Sequence, residues 1–128
     1  MNRKEIDMSK RLLIADDALI IREMIKDAAT SDGWEIVAEA ADGETAARLY
    51  HEHRPDAVTL DLVMPDHDGL YALRQIRKDH PDAKVIIVSA LDQRHVLKEA
   101  FSLGAADFIV KPFERGALLE TLDQTVAN

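Results

Sequence analysis

Asp61 closes an apolar run, Val58-Thr59-Leu60, and a loop marked by Pro65 and Gly69 follows at once. A carboxylate at the inner end of a buried strand is costly to desolvate, so its place asks for a use. Other short runs also end on groups with chemistry. Ala15 leads into Asp16-Asp17, Val88 into Ser89-Ala90, and Val110 into Lys111-Pro112-Phe113. Acids brought together repel one another and cannot all ionise without compensation. Lys111 supplies one positive charge. A hard divalent cation would supply the rest, and Mg²⁺ favours carboxylate oxygens together with water and phosphate. An ionised carboxylate needs no base in order to attack, provided its target is activated and held in line. Phosphoryl transfer asks mainly for such positioning and for charge neutralisation. Mg²⁺, Lys111 and the Ser89 hydroxyl would surround a phosphoryl group arriving at Asp61, and the product would be an aspartyl phosphate.

These groups meet only if the ends of their runs share one edge of a sheet. Five short, partly β-branched runs read as strands: residues 11–15, 34–40, 56–60, 84–89 and 107–110. Helical periodicity fills the gaps. Ile21, Met24, Ile25 and Ala28 predict one buried face, and Leu118, Leu119, Leu122 and Val126 another. Ala46, Ala47 and Tyr50, then Leu70, Leu73 and Ile76, then Leu97, Ala100 and Phe101 mark the helices between. Asp32-Gly33, Arg54-Pro55, His80-Pro81 and Gly104 end four of them. Strict alternation predicts an α/β fold, a three-layer doubly wound sandwich with a five-stranded parallel sheet and right-handed crossovers. In such sheets the site lies beyond the carboxyl ends of the strands, where all the candidate groups fall.

The chain has 128 residues, enough for one domain, here 10–128 behind a short extension, 1–9, expected to be flexible. Its net charge is −8 and it has no Lys/Arg-rich run, which argues against nucleic acid. It has no cysteine, so disulfides and thiolate metal sites are excluded. No apolar run approaches the roughly 20 residues that span a bilayer, and the N-terminus lacks an apolar signal core. A cytoplasmic protein with no membrane partner is the expectation.

The set Asp16-Asp17, Asp61 with Met64-Pro65 and Asp68-Gly69, Ser89-Ala90 and Lys111-Pro112-Phe113 resembles the receiver domain of two-component response regulators. The likeness runs from about Lys10 to the end. Each motif alone is weak, while all in order at the matching elements are specific. The resemblance implies a flavodoxin-like strand order 2-1-3-4-5. It implies that Asp61 is the phosphoacceptor and that Asp17 and Asp61 are direct Mg²⁺ ligands. Asp16 would act through water or as a supporting acid, and Val63 through its backbone carbonyl. Lys111 would contact the phosphoryl group, ahead of a Lys111–Pro112 bond that is often cis in the family. Ser89 would be the switch hydroxyl and Phe108 the switch aromatic, remodelling a face made by the fourth helix, fifth strand and fifth helix. The implied partners are a sensor histidine kinase or histidine phosphotransfer protein and a downstream protein target. The fifth helix lacks the Arg-rich face of receivers that dimerise on DNA, so a monomer is expected.

Rival readings fare worse. An aspartate-nucleophile phosphatase of the haloacid dehalogenase type carries an acid two residues after its nucleophile, where this chain has Val63. A flavin- or nucleotide-binding module needs a Gly- or Ser/Thr-rich phosphate loop after its first strand, where this chain has Asp16-Asp17-Ala18-Leu19. Val63 and Leu91 would flank the site with apolar side chains and limit the access of water. Asp68, ahead of Gly69, reads as a helix cap outside the site. The five histidines read as solvated or loop residues. None has the i, i+4 helical partner of a zinc motif.

Overall fold

The computed structural model describes residues 10–90 and 94–127. Strands and helices alternate: β1 (Lys10–Ala15), α1 (Leu19–Ser31), β2 (Trp34–Ala40), α2 (Gly43–His53), β3 (Ala57–Leu60), α3 (Gly69–Asp79), β4 (Val85–Ala90), α4 (Arg94–Ser102), β5 (Asp107–Lys111) and α5 (Arg115–Ala127). The strands form one parallel sheet in the order β2-β1-β3-β4-β5. The 1–9 extension, Leu91 and Asn128 lie outside the described residues.

The twofold alternation of strand side chains splits the core into two layers. Leu13, Val58, Leu60, Val85 and Ile87 pack with Ala46, Tyr50, Leu73, Ile76 and Ala100 from α2, α3 and α4. Their neighbours Leu12, Ile14, Ala57, Ile86 and Val88 point the other way and pack with Ile25, Ala28, Ala29, Leu118 and Leu122 from α1 and α5. The central strands β3 and β4 are therefore apolar on both faces, whereas the edge strand β2 is only partly buried between Trp34 and Ala40.

Two of the helical faces differ from the periodicity. Met24 is 44% exposed and Phe101 is 42% exposed. Ala29 takes the inward position on α1 in place of Met24. A period of 3.6 fixes a stripe, but the width of the stripe that is covered depends on where the sheet lies. The end signals hold more closely. Asp68 caps α3 by accepting the Tyr71 N–H at 3.0 Å, and Asp42 caps α2 through the Thr45 N–H at 2.7 Å.

Gly69 matters for a reason beyond capping. A methyl group there would sit on the backbone carbonyl oxygen of Asp61, so α3 starts against the strand tip only because no side chain intervenes. Gly69→Ala is expected to destabilise the protein by about 3 kcal/mol. Urea unfolding of the variant checks this, and an unchanged midpoint would contradict it.

Candidate functional site

The order of the strands brings the tips of β1 and β3 side by side at the point where the chain's direction of winding reverses, the usual place for a site in such sheets. Backbone bonds carry the pairing one residue past each strand. Asp61 donates its N–H to Ala15 at 2.9 Å, and Asp16 donates to Ala40 at 2.9 Å. Both acids are thereby held in the sheet's own frame, with Asp16 1% and Asp61 5% exposed.

One carboxylate oxygen from each of Asp16, Asp17 and Asp61 lies within 4.8 Å of the others. Lys111, from the tip of β5, reaches across with its ammonium 2.8 Å from Asp16 Oδ2 and 3.4 Å from Asp61 Oδ2. The Lys111–Pro112 bond is cis. The other oxygen of Asp16 accepts the Ala18 N–H at 2.9 Å, and Asp61 Oδ1 accepts the Val63 N–H at 3.3 Å. Ser89, at the tip of β4, is buried, and its hydroxyl has no hydrogen-bond partner within the described residues.

The charges do not balance. Burial raises the Asp61 carboxyl above its ordinary value and the negative charge of Asp16 raises it further; Lys111 and the Val63 N–H oppose this without cancelling it. Burial also pulls the Lys111 ammonium down, but its bonds to Asp16 and Asp61 outweigh that and it ends above the usual lysine value. A pocket of hard oxygen donors facing one ammonium still holds surplus negative charge. That donor set suits Mg²⁺, and the unpartnered Ser89 hydroxyl leaves a free donor for an anionic group.

The residues singled out from the sequence are not all alike in place. Asp16, Asp17, Asp61 and Lys111 converge. Val63 follows Asp61 on the rim with its side chain 57% exposed, and its apolar partner Leu91 lies outside the described residues. Phe108 is 40% exposed and turns its edge to Phe101, with ring centroids 5.8 Å apart. Asp16-Asp17 does not cap α1, whose N-cap is Ala18 without a side-chain bond.

Arg22 was not legible as part of this region. It donates to the Asp16 carbonyl at 2.6 Å and to Glu39 Oε1 at 3.1 Å, tying the acidic loop to α1 and β2. Its place near the start of α1, just after the acids, is a weak signal. The loop after Asp61 is also held. Gly43 donates to the His67 carbonyl at 2.6 Å, and the His67 ring stacks on Tyr71 at 4.1 Å.

The chain matches the response regulator receiver domain family over residues 12–123. The protein belongs to that family. Among its relatives, the chemotaxis protein CheY of Bacillus subtilis is 44% identical over 119 residues, covering 93% of this chain and 99% of the relative. CheY of Listeria monocytogenes is 48% identical over 114 residues, covering 89% of this chain and 96% of the relative. Among solved structures, the CheX–CheY–BeF3–Mg complex from Borrelia burgdorferi aligns with a TM-score of 0.88 at 35% identity, covering 95% of this receiver and 92% of that chain. The response regulator domain of Thermotoga maritima CheB aligns at 0.86 with 34% identity, covering 93% and 97%. The strand order and flavodoxin-like layering expected from the sequence are those of this CheY-like receiver. Among the described residues, no helix is long and apolar enough to cross a membrane.

Proposed function

We propose that this receiver accepts a phosphoryl group on Asp61 from a phosphohistidine donor and signals by remodelling its α4–β5–α5 face. The observation that carries the reading is the Lys111 ammonium set between Asp16 and Asp61, at 2.8 and 3.4 Å, over a cluster of carboxylates from two strand tips. Asp16, Asp17, Asp61 and the Val63 carbonyl would hold Mg²⁺, which supplies the positive charge that the pocket lacks. An oxygen of Asp61 bonds to phosphorus as the P–N bond of the donor breaks, and the bonding pair leaves with the imidazole nitrogen. Lys111 neutralises charge on the transferred group and the Ser89 hydroxyl donates to one of its oxygens. Water later cleaves the acyl phosphate in place.

The new charge and acceptor oxygens recruit Ser89, whose hydroxyl has no other partner among the described residues. Phe108 then turns inward, and the packed pair Phe108–Phe101 is lost from the surface. A downstream protein reads that change, as the donor, a sensor histidine kinase or phosphotransfer protein, reads the acidic tip. The relative from Borrelia, solved as a complex with CheX and Mg, supports both a metal and a protein partner for this class of receiver.

Incubation with acetyl phosphate, with and without Mg²⁺, followed by intact mass, tests the reading. A gain of one phosphoryl group is expected only with the metal and never in Asp61→Asn. Steady release of phosphate from unrelated monoesters would favour the phosphatase instead. Ser89→Ala separates the roles of the hydroxyl. Removing a buried, unpartnered hydroxyl is expected to leave stability unchanged or raise it by up to about 1 kcal/mol, while phosphoryl uptake slows by about a hundredfold. Uptake at the parental rate would remove Ser89 from the proposal.

A further inference from the structure

We propose that His51 and His80 form a binding site for a borderline divalent transition-metal ion, Zn²⁺ in the first instance, in the cleft between α2 and α3. The two residues are 29 apart in sequence, so no spacing motif joins them, yet His51 Nδ1 and His80 Nε2 stand 3.3 Å apart. Two imidazole nitrogens bound tetrahedrally to one Zn²⁺ at about 2.0–2.1 Å lie about 3.3–3.4 Å from each other. The pair already has the separation that a shared ion needs, and a tilt of the rings, now 39° apart, would converge their lone pairs.

The His80 ring is held by the fold, and the backbone of His51 is fixed while its ring is exposed. His80 is the C-cap of α3, its N–H bonded to the Ile76 carbonyl at 2.7 Å. Its ring rests against the buried Tyr50, with centroids 5.1 Å apart. His51 lies in the last turn of α2, where Arg54 Nε donates to its carbonyl at 3.2 Å. The cleft has a volume of about 340 Å³, and Glu44, Glu52 and Asp79 line it beside the two rings. No carboxylate oxygen stands within 4.8 Å of both ring nitrogens, since the described residues gather three such ligands only at Asp16, Asp17 and Asp61. The site therefore needs one of Glu44, Glu52 and Asp79 to swing in, with water in the remaining position. Glu52 is engaged with Arg48 at 3.2 Å in an exposed ion pair, which an ion could outcompete.

Metal binding needs neutral imidazoles. One N–H now bridges the two rings. It moves to the far nitrogen of its own ring when the ion enters, a change of tautomer with no net proton lost. The site lies between two helices and uses none of the strand-tip acids, so it stands or falls apart from phosphorylation at Asp61.

Titrating the full chain with ZnCl₂ in saturating Mg²⁺, while following histidine ring nitrogens by long-range ¹H–¹⁵N NMR, tests the assignment. His51 Nδ1 and His80 Nε2 are expected to shift together and saturate at one equivalent. His51→Gln and His80→Gln, with folding checked by circular dichroism, are each expected to weaken binding about tenfold or more. Ring nitrogens that stay put while only the carboxylate cluster responds would overturn the site. So would variants that bind as tightly as the parent.

Discussion

Lys111→Met is expected to cost about 3 kcal/mol of folding stability at neutral pH, because it removes one partner of a buried ion pair and leaves the other charge behind. Methionine keeps an apolar stem of similar length, so lost packing is a small part of the effect. The ammonium is 2.8 Å from Asp16, a side chain that is almost wholly buried, and 3.4 Å from Asp61. Without it, Asp16 and Asp61 face one another with, among the described residues, the Ala18 and Val63 N–H groups to help. The cost should shrink in acid as the carboxylates take up protons, and it should shrink when Mg²⁺ is added. Urea unfolding of parent and variant at neutral and acidic pH, with and without the metal, measures all of this. Phosphoryl uptake should fall by about a hundredfold, the usual effect of deleting one donor to a developing charge. A variant as stable as the parent at neutral pH would mean that the Lys111–Asp16 contact contributes nothing.

Asp61→Asn should behave in the opposite way on stability while abolishing phosphoryl uptake. Folding raises the Asp61 carboxyl above its ordinary value of 3.8, by burial first and by Asp16 second. A group raised on folding contributes stability that is fully present below the unfolded value and lost as pH climbs through the folded one. At neutral pH the ionised Asp61 therefore costs stability, and a neutral amide of the same shape relieves it. The variant is expected to melt higher than the parent at neutral pH, and the difference should vanish toward the acid end. Mg²⁺ should narrow the gap from the other side, since a ligand that binds the folded form stabilises it by mass action and the parent binds the ion more tightly. Thermal unfolding across pH, with and without Mg²⁺, checks both directions. A variant less stable than the parent at neutral pH would show that Asp61 is held by its partners more strongly than burial disfavours it.

Much of this protein was legible from residue types alone. The runs ending at Ala15, Leu60, Ser89 and Val110 close within one residue of the ends of β1, β3, β4 and β5, because parallel strands covered on both faces are short and apolar throughout. Asp68 and Gly104 mark a helix start and a helix end as their chemistry demands, Gly104 with a φ of +104°. The errors fell on Met24 and Phe101, each on the edge of an apolar stripe. Whether such a residue is covered depends on the angle at which its helix lies on the sheet, and periodicity carries no information about that angle.

The sequence by itself determined which elements form, and it put an acid, a hydroxyl or an ammonium at the tips of β1, β3, β4 and β5, because these follow from local pattern. Only the tertiary structure decided that Lys111 sits nearer Asp16 than Asp61, that Arg22 braces the Asp16 carbonyl, and that His51 meets His80. Those pairings join residues from separate elements, and a contact of that kind is set by how helices and strands cross in space, at distances where one ångström selects the partner.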